Sequence, residues 1–228
     1  MGLSDSHTIY MRMAELSKTS GIPVATIKFY LRERLLPAGE RTGPNQSRYG
    51  EQHLRRLRLI RGLLDVGGLS VASARGVIDA VDSELPLAHS FGVAQRAVSA
   101  DIDPGGMDPE ALAGIDRLVE GWRVSADNPG RLAAARVLET FNALGQRDDR
   151  DWFSRYAAAA LLVAEADLDL VEARGSREAM AETVVIGTVL GDALFSGLRR
   201  AAQEHVSALR HPVPFEPVRA PAKEQECP

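Results

Sequence analysis

The sequence predicts an all-α fold with a small β wing: a winged helix-turn-helix head followed by an α-helical bundle. Three observations lead there. Apolar residues recur at helical spacings of three and four along most of the 228 residues. One early break, residues 38–49, concentrates Gly39, Gly43, Pro44 and Asn45 and excludes a helix. Charge is also divided: residues 1–62 carry 11 Lys/Arg against 5 Asp/Glu, and the rest carry 16 against 26. A basic head suited to phosphates thus precedes an acidic body that is not.

The elements follow in order. A short helix fits residues 14–19, with Gly21 able to take positive φ at its end. Pro23 suits the first turn of a second helix, which reaches about Arg34 and carries Val24, Ile27 and Leu31 on one face. Two short helices joined by a tight glycine turn make a helix-turn-helix. Residues 38–49 then read as a hairpin turning near 43–45. A third helix is expected from Glu51 to about Val66, with Leu54, Leu57, Ile60, Leu63 and Leu64 inward, and Gly67 and Gly68 stopping it. Ser70 caps a fourth, faced by Val71, Ala74, Val77, Ile78 and Val81.

Residues 83–107 read as a connecting segment with one short helix near 87–99. Helices then start at Asp108-Pro109, at Asn128-Pro129, at Asp149 or Asp151, and at Ser176, the last reaching about Leu209. The expected domains are therefore 1–82, the connector 83–107, a helical body 108–210 and a proline-rich disordered tail 211–228.

Within the head, Met13-Ala14-Glu15-Leu16, Gly21-Ile22-Pro23-Val24, Thr26-Ile27-Lys28-Phe29-Tyr30, Leu35-Leu36-Pro37, Arg48-Tyr49 and Leu57-Arg58-Leu59-Ile60 stand in a fixed order. This series, over residues 11–81, resembles the signature of the MerR family of transcriptional regulators. The resemblance implies a winged helix-turn-helix that binds double-stranded DNA. A recognition helix presents short or polar side chains to base edges and long cations to flanking phosphates. The expected DNA-binding set is Lys18, Ala25, Thr26, Lys28, Phe29 and Tyr30 with Arg41, Asn45 and Arg48 on the wing. Phe29 and Tyr30 have core packing as an equal alternative. Lys28 stands where the family usually has arginine, which turns a bidentate contact into a point-charge one. Family members pair through a long helix after the fourth, yet Pro86 and Gly92 break that stretch here.

The body resembles, in pattern only, a TetR-type regulatory domain. Residues 183–198 are apolar nearly all round, implying burial on more than one side. Gly187 and Gly191 lie four apart and each costs a helix about 1 kcal/mol, so Gly187, Leu190, Gly191, Leu194 and Leu198 are the expected homodimer contacts. Trp122, Phe141, Trp152 and Tyr156 are candidates for lining a small-molecule effector site, with plain core packing as the alternative.

Several classes are excluded or disfavoured. A single cysteine, Cys227, leaves no disulfide or zinc–thiolate site within one chain. The five histidines show no ligand spacing, and no nucleophile elbow, phosphate loop or dinucleotide-binding glycine pattern occurs, so no enzyme, cofactor or metal is expected. No signal peptide opens the chain. Its longest apolar stretch, 184–198, is broken by Asp192 and falls short of the ~20 residues of a membrane span. A cytoplasmic, ligand-responsive homodimer on a palindromic site is the main expectation. An effector-independent architectural or accessory DNA-binding protein, or a winged-helix interaction module, is the alternative.

Overall fold

The computed structural model describes residues 10–44, 46–84, 86–99 and 104–211. The element order is α1 (Met13–Ser20), α2 (Val24–Arg32), β1 (Glu40–Gly43), β2 (Gln46–Arg48), α3 (Glu51–Arg61), α4 (Val71–Asp82), α5 (Leu87–Val98), α6 (Pro109–Leu118), α7 (Pro129–Ala143), α8 (Trp152–Glu172) and α9 (Arg177–Arg210). An all-α chain with a two-stranded wing is what the periodicity called for. The tail beyond residue 211, Cys227 and the wing-tip Asn45 lie outside the described residues.

Local signals explain most boundaries. Gly21 takes φ 69° at the end of α1, a conformation costly for any residue with a Cβ. The Ser70 hydroxyl accepts the Ser73 N–H to open α4. Asp108 and Asn128 cap α6 and α7, each followed by proline in the first turn. Helix α8 starts directly after Asp151, one of the two expected starts, but another aspartate caps it. Asp151 is left-handed, with φ 56°, and makes no cap. The Asp148 carboxylate instead accepts from Trp152 N–H at 2.5 Å and Phe153 N–H at 3.1 Å.

The third helix differs too. It is α-helical only to Arg61, and Gly62–Val66 wind as a π turn. Gly67 N–H closes that turn on the Gly62 carbonyl at 2.9 Å.

Strands β1 and β2 pair antiparallel, Glu40 opposite Arg48 and Arg41 opposite Ser47, with an irregularity between Arg41 and Gly43. Met11 and Tyr49 exchange both backbone hydrogen bonds, at 2.8 and 2.9 Å, and so fasten the start of the head to the base of the wing. His53 finishes that base: its Nδ1 accepts Gly50 N–H at 3.0 Å, and its ring meets Tyr49 edge-on.

The main core gathers Leu16, Ile27, Leu35, Leu36, Leu57, Ile60, Leu63, Val77 and Ile78, all essentially inaccessible. Burying each such side chain is worth about 1.5–3 kcal/mol. The same cluster takes in Ala94 of α5 and Ala181, Val185 and Val189 of α9. The head core therefore recruits segments far outside residues 11–81. A smaller cluster joins α6 to α7 through Met107, Ile115 and Ala135. Arg131 braces that hairpin with two bonds to Asp116, at 2.6 and 2.8 Å, and holds its carboxyl below the usual aspartate range.

The chain divides into two compact units between Asp192 and Ala193, inside α9. In the second unit, Leu194, Leu198 and Leu209 are exposed. By length and composition α9 is long and apolar enough to cross a membrane, contrary to the shorter stretch read from the sequence. Three of its valines, 184, 185 and 189, are nevertheless buried within the protein.

Candidate nucleic-acid interface

Helix α2 is placed by one apolar face. Ile27 is fully buried and Tyr30 is 7% exposed, so the opposite face looks outward. On that outward side Ala25 and Lys28 are exposed and Thr26 is half-buried. Pro23 precedes the helix and no side chain caps it, so the first-turn N–H groups remain open to an anion. A small side chain, a hydroxyl and a cation beside an uncapped helix start are the parts that fit base edges and phosphates.

The two aromatic residues separate. Phe29 is half-buried, while the Tyr30 ring belongs to the core. Burial pushes the Tyr30 hydroxyl above the usual tyrosine range, with Asp65 adding to the effect. The Tyr30 carbonyl accepts the N–H groups of Leu35 and Leu36, at 2.9 and 3.2 Å, which turns the chain out of the helix.

Lys18 lies exposed in the last turn of α1. On the wing, Arg41 and Arg48 are both exposed. Arg48 reaches Glu40 across the hairpin at 3.3 Å, and its guanidinium lies 4.6 Å from the centre of the Tyr10 ring. The expected set is thus at least partly exposed at Ala25, Thr26 and Lys28 on α2, at Lys18 on α1 and at Arg41 and Arg48 on the wing.

Two neighbours of these side chains escaped the sequence reading. Arg32 lies 5.4 Å over the Phe29 ring, a neighbour that the i, i+3 spacing on α2 could have revealed. Tyr10 supports Arg48 across 38 positions, and no local pattern signals it.

The other candidates lie elsewhere. Phe141, Trp152 and Tyr156 come together: Phe141 stacks on Trp152 at 5.7 Å, and Trp152 meets Tyr156 at 4.7 Å. Trp152 and Tyr156 are 40% and 38% exposed, so the group is an open aromatic patch. Trp122, 37% exposed, makes no ring contact with it among the described residues. Of the α9 set, Leu190 packs on the head core, and Gly187 and Gly191 face Asp167 of α8. Leu194 and Leu198 are exposed. Among the described residues no cluster of three His, Cys, Asp or Glu could hold a metal ion.

Comparison with known proteins agrees with this geometry. Residues 11–81 match the family described as MerR HTH family regulatory protein. Over 50 residues the chain is 40% identical to an HTH-type transcriptional regulator ZntR homolog of Haemophilus influenzae, a match spanning 22% of this chain and 37% of that relative. The chain thus matches little more than a third of that relative's length. A crystal structure from Streptomyces coelicolor, SCO5550, named as a candidate transcriptional regulator, superposes with a TM-score of 0.70. It is 37% identical and is covered over 100% of its length, against 90% of this chain.

Proposed function

The chain belongs to the MerR family of helix-turn-helix regulators, and from that premise we propose that it acts as a homodimer on a palindromic promoter site and responds to a small molecule. DNA binding as a transcriptional regulator is the function the family carries. The single observation that supports it best in this chain is the uncapped start of α2, with exposed Ala25 and Lys28 beside it. In this reading Lys28 neutralises a phosphate, Thr26 faces base edges, and Arg41 and Arg48 follow the backbone or minor groove. Such a protein works in the cytoplasm, where its DNA is.

Pairing is supported by surface that one chain does not use. A methyl group on Gly187 or Gly191 would meet nothing nearer than the Asp167 carboxylate at 4.0 Å. One chain therefore has room for alanine at both positions, yet carries glycines that cost about 1 kcal/mol each. That face of α9 is turned to α8 of the same chain, and the surface left for a second copy is that of Leu194 and Leu198, 63% and 59% exposed. Two heads one helical turn apart would then read two half-sites. The open patch of Phe141, Trp152 and Tyr156 is the candidate contact for an effector. Such a ligand regulates only through different affinities for the DNA-competent and incompetent arrangements.

Fluorescence anisotropy with duplex from the regulator's own upstream region tests the DNA contacts. Lys28→Ala and Arg48→Ala are each expected to weaken binding by about 1–3 kcal/mol and to reduce the salt slope by about one. Undiminished affinity in both variants would remove these residues from the interface.

A further inference from the structure

Four arginines stand on α3 within seven residues, and three of them are paired. Arg55 meets Glu182 at 3.1 Å, Arg61 meets Asp65 at 2.9 Å, and Arg56 binds Asp82. The Arg58 side chain alone among them has no hydrogen bond or ion pair among the described residues. It stands at the edge of a cleft of about 230 Å³ between α3, the π turn and the first half of α9.

The floor of this cleft is apolar: Leu59, Leu63, Ile186 and Leu190, with Gly62 between them. A Cβ on Gly62 would come into ordinary contact with Leu190, 3.7 Å from its Cδ1, and take up part of this space. Ile186 stays 37% exposed beside Val185, which is fully buried. One wall is the start of the π turn Gly62–Val66, a geometry found frequently at functional sites.

We propose that this cleft binds a small apolar monocarboxylate, its hydrocarbon on Leu59, Leu63, Ile186 and Leu190 and its carboxylate on Arg58. Charge complementarity selects the class. Arg55 and Glu182 line the same cleft but pair with each other, so the unpaired charge beside the apolar floor is the Arg58 guanidinium, which matches an amphiphile with a single anionic end. Size selects within it, because pockets for drug-sized ligands begin at about 300 Å³ and this one is smaller. A DNA phosphate would satisfy Arg58 but would leave the apolar floor unused. Leu57 and Ile60 of α3 and Val185 and Val189 of α9 share the head core, so an occupant between the two helices bears on the elements that hold α2. That consequence rests on the DNA-binding reading; the binding itself does not.

Calorimetric titration of the full chain with octanoate, and with octanol as the uncharged control, tests it. Saturable octanoate binding is expected, at least about tenfold weaker for octanol and for Arg58→Ala, as loss of a charge-assisted contact requires. Ile186→Ser, at a 37% exposed position with folding checked by circular dichroism, is expected to weaken octanoate binding as well. No saturable octanoate binding, or binding untouched by both substitutions, overturns the proposal. So does a loss of duplex affinity in ligand-free Arg58→Ala, which would make Arg58 a phosphate contact. Arg58-dependent octanoate binding in a protein that binds no duplex would uphold the cleft and overturn the DNA reading instead.

Discussion

At the end of α2 the chain turns through Glu33 and Arg34, and Arg34 takes φ 59°, a left-handed conformation that costs a residue with a Cβ roughly 1–2 kcal/mol. Arg75 of α4 sits against this corner. Its Nε donates to the Glu33 carbonyl and its Nη2 to the Glu33 carboxylate, both at 2.7 Å. One guanidinium thus satisfies a carbonyl left over at a helix end and pairs the adjacent charge. Arg75→Ala is expected to lower stability by about 1 kcal/mol, the half-exposed position keeping the loss modest, as urea denaturation would measure. Arg75→Lys should recover less than half, since a single ammonium cannot span both oxygens in a fork. Unchanged midpoints in both variants would show that the corner holds without this clamp. The exposed cations of the interface were legible in the sequence because Lys28 faces away from Ile27 on one short helix. Arg75 was not, because its partner lies 42 residues away and both residues look like ordinary surface charges.

Among the elements, the capped helices were the most legible, for Ser70, Asp108 and Asn128 announce their starts through side chains that bind the first turn. The π turn was not. Leu54, Leu57, Ile60, Leu63 and Leu64 keep a helical pattern straight through it, so periodicity cannot register one residue of altered winding. Nor could the seating of α9 on the head be read, since valines at 185 and 189 fit equally well in any helical interface. The structure ties these two hidden features together at Gly67. Its φ of −73° suits any residue, yet a Cβ there would collide with Val189 Cγ1 and lie 2.8 Å from the Leu63 carbonyl. Gly67→Ala should therefore destabilise the protein by about 1–3 kcal/mol through overpacking alone. Adding Val189→Ala removes one of the two clashes, so the pair should be less destabilised than the sum of its parts by at least about 0.5 kcal/mol. Strict additivity in thermal or urea unfolding would mean that α9 does not press on the π turn.

For the whole molecule, the telling feature is how little of α8 is buried. Of its 21 residues only Val171 is inaccessible, while Leu161, Leu162, Leu168 and Leu170 stand 38–70% exposed. Most helical stability in proteins comes from packing an apolar face, so this surface needs a cover. Leu194 and Leu198 of α9 present the same need, at 63% and 59% exposure. A second copy, as proposed, supplies apolar helices of matching character. The double variant Leu194→Glu/Leu198→Glu should then sediment as a monomer, with the helical circular dichroism of the head retained. Its effect on DNA gives the sharper test. A monomer brings one head, hence about half the phosphate contacts, and the slope of log affinity against log salt should fall to about half its original value. An unaltered slope in a monomeric variant would mean that one head does all the binding. An unaltered dimer would move the pairing surface away from the end of α9.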